Sequence, residues 1–139
     1  MKIIVCLDEH DGMLFNRRRQ SKDSALRRHV LQMCADGVLW MNRYSAAQFS
    51  EEDMGKDIII AVENFLDKAG PNDYCFLENK DISAYADQVK QVIIYRWNRA
   101  YPRDMTFPTK RFSCKWKLIS REEFPGTSHE KITQEVYSL

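Results

Sequence analysis

The chain has 139 residues, with 21 Lys and Arg against 20 Asp and Glu and a formal net charge of +1. A hydrophobic share of 44% beside 29% charged residues excludes a disordered chain. The even charge balance argues against a strongly basic nucleic-acid binder, and no apolar run approaches the ~18 residues that would cross a bilayer.

This length suits one domain, expected over residues 1–139. Folding should bury about two-thirds of its surface, so a core is available without disulfides. The opening Met1-Lys2-Ile3-Ile4-Val5-Cys6-Leu7-Asp8 turns acidic too early for an export signal. The four cysteines form no Cys-x-x-Cys pair, and each adjoins an apolar run. They are therefore expected to be reduced and buried, in a cytoplasmic protein with no metal site.

Ile3 to Leu7 reads as a short buried strand, closed by the turn cluster Asp8-Glu9-His10-Asp11-Gly12. Asn16-Arg17-Arg18-Arg19-Gln20 is polar and basic. From Ser21 to Cys34, Leu26, Val30 and Met33 recur at helical spacing, and Leu31 and Cys34 widen the stripe. That predicts an amphipathic helix with Ser21 as cap and Asp23 in its first turn. Val38 to Met41, Ile58 to Val62, Tyr74 to Leu77 and Val92 to Trp97 read as further buried strands. Short helices are expected around Ala46 to Phe49, over Glu63 to Lys68, and from Ile82 to about Val89 behind an Asp81 cap. Phe112, Cys114, Trp116 and Leu118 alternate with Arg111, Ser113, Lys115 and Lys117. This period of two predicts an antiparallel strand with one wet face, a candidate edge for pairing in a homodimer. Ile132 to Leu139 suits either period. Strands alternating with helices, then an antiparallel finish, predict an α/β sheet of mixed direction.

Several motifs stand in a telling order. Gly12-Met13-Leu14-Phe15-Asn16 follows the first strand and Asp23 opens the first helix. Asn42-Arg43-Tyr44-Ser45 follows Val38 to Met41. Asp104-Met105-Thr106-Phe107-Pro108 follows the strand ending at Trp97, and Trp116, Ser120 and Tyr137 come last. Together they resemble the dihydrofolate reductase-like superfamily, including the reductase domain of riboflavin biosynthesis, over most of the chain. The resemblance implies a single-domain sheet, mostly parallel with antiparallel C-terminal strands, flanked by helices. It implies an NADPH-dependent reductase of a pterin (dihydrofolate) or pyrimidine-like substrate, with Asp23 as catalytic acid and Asn16, Arg43 and Ser45 at the cofactor. The opening also resembles short bacterial proteins labelled ribonuclease Z. That chemistry needs His-x-His-x-Asp-His, and the three histidines here, at 10, 29 and 129, are unpaired.

The departures carry as much information. Where the family has Gly-Gly before a helix, to let backbone approach a pyrophosphate, this chain has Leu77-Glu78-Asn79-Lys80-Asp81. Two carboxylates there would repel the cofactor. Tyr95 replaces the Thr that supports the family's acid. The reading preferred on these grounds is a degenerate or repurposed reductase fold binding a nucleotide or other phosphorylated ligand. Arg43, Ser45 and the Arg17-Arg18-Arg19 loop would bind it. The alternatives are a working reductase, or a non-enzymatic module whose Arg17 to Arg19 loop contacts protein or RNA. Asp23 as an acid would need an apolar pocket that raises its pKa; otherwise it is an exposed first-turn Asp complementing the helix dipole. His129, in Pro125-Gly126-Thr127-Ser128-His129, is expected in a solvated turn.

Overall fold

The computed structural model describes residues 1–49 and 53–139. At its centre is β1 (Lys2–Leu7), with β6 (Tyr74–Phe76) and β7 (Gln91–Arg96) parallel on either side. Beyond β6 lie β4 (Leu39–Met41) and β5 (Ile59–Ala61), also parallel. Beyond β7 lie β10 (Ile132–Ser138) and the edge strand β9 (Lys117–Phe124), both added antiparallel. The order is β5-β4-β6-β1-β7-β10-β9. This is the expected mixed sheet, parallel through the middle and antiparallel at the C-terminal end.

The apolar runs explain the layering. Successive side chains of β1 point to opposite faces, so Ile3, Val5 and Leu7 join one core and Ile4 the other. The first core is closed by Phe65 and Leu66 of α3 (Phe65–Lys68), by Ile82 and Val89 flanking a 3-10 turn (Ser83–Gln88), and by Phe107 and Phe112. The second is closed by α1 (Ser24–Met33), whose Leu26, Val30 and Leu31 are buried. Each such side chain contributes ~1.5–3 kcal/mol relative to exposure.

Four expectations are corrected. The first helix starts at Ser24, because Asp23 rather than Ser21 caps it: the N–H groups of Ala25 and Leu26 donate to Asp23 Oδ1 at 2.9 and 3.2 Å. The helix near Ala46 lies a turn earlier, as α2 (Arg43–Ala46), because Asn42 Oδ1 caps Ser45 N–H at 3.0 Å. The alternation at Phe112 to Trp116 is not a strand. Thr109 Oγ1 donates to Asp11 at 2.9 Å and starts a one-turn helix, α4 (Thr109–Phe112), and Phe112 stacks on Phe107 at 5.6 Å. The edge strand begins only at Lys117, and it is wet on both faces over most of its length. Finally, Cys34 and Cys75 are buried, but Cys6 is half-buried and Cys114 exposed.

The polar stretch after Gly12 also holds structure that its composition hides. A small antiparallel sheet joins β2 (Gly12–Phe15), β3 (Arg18–Arg19) and β8 (Met105–Thr106). Phe15 pairs with Arg18 across a two-residue turn in which Asn16 and Arg17 have φ of 54° and 64°. Positive φ at both central residues matches the strands' twist, at a cost of ~1–2 kcal/mol for a non-glycine residue.

Candidate functional site

The parallel strands β1, β4, β6 and β7 all end on one side of the sheet, the side where ligands bind in open α/β folds. Three polar groups have been gathered there by loops.

The first is an ion pair. Arg19 Nε and Nη2 donate to the two carboxylate oxygens of Glu78 at 2.9 and 3.1 Å, a fork-on-fork pair. The Glu78 side chain is 7% exposed. Arg19 also lies over the Tyr44 ring, 4.3 Å from its centroid, and its Nη2 donates to the Tyr44 carbonyl at 3.1 Å. Burial disfavours the charged guanidinium, yet the hydrogen bond and charge of Glu78 hold it above its ordinary pKa. Glu78 is thus not the unpaired, repelling carboxylate expected from the sequence, and Arg19 is turned inward rather than presented to a ligand.

The second group is Asp8, whose carboxylate is fully buried. It accepts from the N–H groups of His10 and Gly12 at 2.8 Å and of Tyr101 at 3.2 Å, and from Gln20 Nε2 at 3.1 Å. Burial alone would raise its pKa, but the three backbone donors win and hold it low. The carboxylate ties the opening turn to the loop after β7. The Asn16 N–H donates to Asp104 at 2.9 Å, which anchors the hairpin tip.

The third group surrounds Asp23. Besides capping α1, it accepts from the N–H groups of Thr127 at 3.0 Å and Ser128 at 2.8 Å. Its oxygen Oδ2 lies 3.3 Å from His129 Nδ1, and His129 Nε2 lies 2.7 Å from Tyr101 Oη. The side chains of His129 and Asp23 are 1% and 0% exposed. Trp97 stacks on the imidazole at 4.5 Å. A Cβ at Gly126 would lie 2.6 Å from Asp23 Oδ2 and 2.7 Å from the His129 carbonyl, so this close approach requires glycine.

Both expectations for Asp23 are therefore corrected. It is not exposed, and its pKa is not raised: burial pushes it up, but the N–H groups of Thr127, Ser128 and Leu26 hold it well below the usual carboxylate range. His129 is buried rather than solvated. The Gly126-Thr127-Ser128 run, one close-packing residue and two hydroxyls, was the available signal for a wrapped carboxylate, but nothing local tied it to Asp23. Tyr101 carried no signal of its own.

The remaining candidates disperse. Arg17, Arg18 and Asn16 are exposed at the hairpin tip. Arg43 is exposed, with its N–H donating to Glu63 at 3.0 Å. Ser45 is 1% exposed and its hydroxyl has no hydrogen-bond partner among the described residues. Tyr95 is fully buried between β7 and α1; Gln134 Nε2 donates to its hydroxyl at 3.1 Å, and His29 Nδ1 lies 2.8 Å away. The His29 imidazole reaches Glu122 at 3.0 Å through Nε2 and does not meet His10. Beside this network, between α1 and the β9–β10 hairpin, lies a cavity of about 460 Å³ lined by His29, Gln32, Met33, Gln134 and others.

No family model and no curated protein matches the sequence. Among solved structures, the chain is similar to dihydrofolate reductase from Enterococcus faecalis, complexed with NADP(H) and RAB-propyl. The TM-score is 0.67 at 10% identity, over 99% of this chain and 94% of that one. The chain therefore has the dihydrofolate reductase fold, carried by a sequence that shares little with that enzyme.

Proposed function

We propose that this protein is a repurposed member of its fold that binds a nucleotide or other small phosphorylated ligand. The observation that carries this reading is the tip of the β2–β3 hairpin. Phe15, 46% exposed, is the direct cross-strand neighbour of Arg18, and Arg17 stands in the turn beside them. An exposed aromatic face suits a base, and guanidinium forks suit phosphate oxygens. Asp104 and the inward-turned Arg19 hold the hairpin, so little ordering entropy is lost on binding. Arg43 supplies a further exposed cation after β4.

The residues past β6 do not fit the pyrophosphate of a nicotinamide dinucleotide. The place where backbone would approach that anion holds the buried Glu78 carboxylate, already paired in both oxygens. Tyr95 fills the layer between β7 and α1 with a buried ring. Both features weigh against the reductase alternative.

Titration with ADP, inorganic pyrophosphate and NADPH, followed by calorimetry at low and moderate salt, tests this reading. Saturable ADP binding is expected, no tighter for NADPH, weakened ~10-fold or more in R17A/R18A and weakened by salt. NADPH binding far tighter than ADP and indifferent to R17A/R18A would restore the reductase, and no binding of any of the three would remove the anion reading.

A further inference from the structure

Hydrogen-bond valence sets the tautomer of a neutral His129 beside Asp23. The carboxylate only accepts, so the nitrogen facing it, His129 Nδ1, carries a proton. Ser128 Oγ has a single proton, which lies within reach of the Lys22 carbonyl at 2.8 Å and of Asp23 Oδ2 at 3.1 Å; its oxygen then shares the Nδ1 proton at 3.0 Å. In the neutral imidazole Nε2 is left as an acceptor, and the partner 2.7 Å away is the Tyr101 hydroxyl, which must donate. The chain of donors therefore runs in one direction, from Tyr101 through His129 to Asp23. Its inner members are sealed, the imidazole by Trp97 and the carboxylate by Gly126 and the N–H groups of Thr127 and Ser128. Tyr101 is half-buried and sits on the loop that Asp8 pins to the carboxyl ends of the strands. A nucleophile bonded to a base that is itself oriented by a third group is the signature of nucleophilic catalysis.

We propose that Tyr101, His129 and Asp23 form a nucleophilic site, with Tyr101 Oη as nucleophile, His129 as its base and Asp23 as the group that orients the imidazole. The ligand it takes has an electrophilic centre bearing a leaving group, as in an activated phosphoryl or acyl ester. Tyr101 Oη forms a bond to that centre, and the bond to the leaving group breaks with its electron pair. The phenol proton passes to His129 Nε2, and the imidazolium is held by Asp23 until the proton follows the leaving group. This inference does not depend on the anion-binding reading, since none of its groups is at the hairpin tip.

The test is labelling of the whole protein by an aryl sulfonyl fluoride, in which the phenol oxygen displaces fluoride at sulfur, read by peptide mass spectrometry. Tyr85 is the internal control: it is also half-buried, but its hydroxyl donates to the lone carboxylate of Asp67 at 2.5 Å. Tyr101 is expected to label roughly 10²-fold faster than Tyr85, and H129Q and D23N to lose most of that advantage. The comparison of Tyr101 with Tyr85 in wild-type protein decides the matter even if both variants fail to fold. Tyr101 labelling no faster than Tyr85, or unchanged in H129Q, would overturn the proposal.

Discussion

Two chains of the same three groups run through this molecule in opposite senses. At the carboxyl ends of the strands, the half-buried Tyr101 leads through His129 to the buried Asp23. Under α1, Tyr95 is the buried end and leads through His29 to Glu122, whose side chain is 58% exposed. Gln134 donates to the Tyr95 hydroxyl, so that hydroxyl gives its proton to His29 Nδ1, and Nε2 faces Glu122. The two imidazoles are therefore opposite tautomers. Residue type does not distinguish these chains; which end meets water does. A chain ending in a half-buried phenol offers a nucleophile, whereas one ending in a solvated carboxylate braces the packing of His29 on Phe124, stacked at 4.4 Å.

Substitutions should separate the two. The largest loss is expected for Asp23→Ala, which removes a helix cap and strands two backbone donors: about 3 kcal/mol or more by urea unfolding. Gly126→Ala presses a methyl group against the same carboxylate and should cost ~1–3 kcal/mol. Tyr95→Phe leaves Gln134 Nε2 and His29 Nδ1 without their shared partner and should cost about 1–2 kcal/mol. Glu122→Gln, at the solvated end, should stay within ~0.5 kcal/mol. A Glu122→Gln loss equal to that of Asp23→Ala would erase the distinction drawn between the chains.

Acid sharpens the contrast. The folded-state pKa of Asp23 lies below its unfolded value, so its stabilisation is complete above about 3.9 and is lost as pH falls toward the folded value. Urea midpoints measured from pH 6 down to pH 3 should fall for wild type and fall less for Asp23→Asn. Equal slopes would mean that Asp23 is not held in its charged form by Thr127 and Ser128.

Much of the fold was legible because it rests on patterns of adjacent residues. The runs at Ile3, Val38, Ile58, Tyr74 and Val92 each became a strand, and the spacing of Leu26 and Val30 found α1. The misses share a cause. Phe112 to Trp116 alternates as a strand should, but Phe107 stacks on Phe112 and Asp11 holds Thr109, partners that a period cannot weigh. At the site, Glu78 was visible as a carboxylate in an unexpected place, yet its partner Arg19 lay in a basic run that read as a ligand-binding loop. Asp23 drew notice through resemblance, and its true surroundings come from the loop between β9 and β10. Pairings distant in sequence leave no periodic trace.

The Arg19–Glu78 pair has a consequence for how this fold is kept together. A protein that leaves a crevice for a cofactor gains stability from it by mass action, as RT ln(1 + [L]/Kd), and loses that share when the cofactor is scarce. Here the crevice is spanned by a cation and an anion of the same chain. Their effective concentration is set by the fold and does not vary with the surroundings. The closed arrangement therefore stands without any small molecule, and any rise in melting temperature with added nucleotide should come from the hairpin tip and be lost in R17A/R18A.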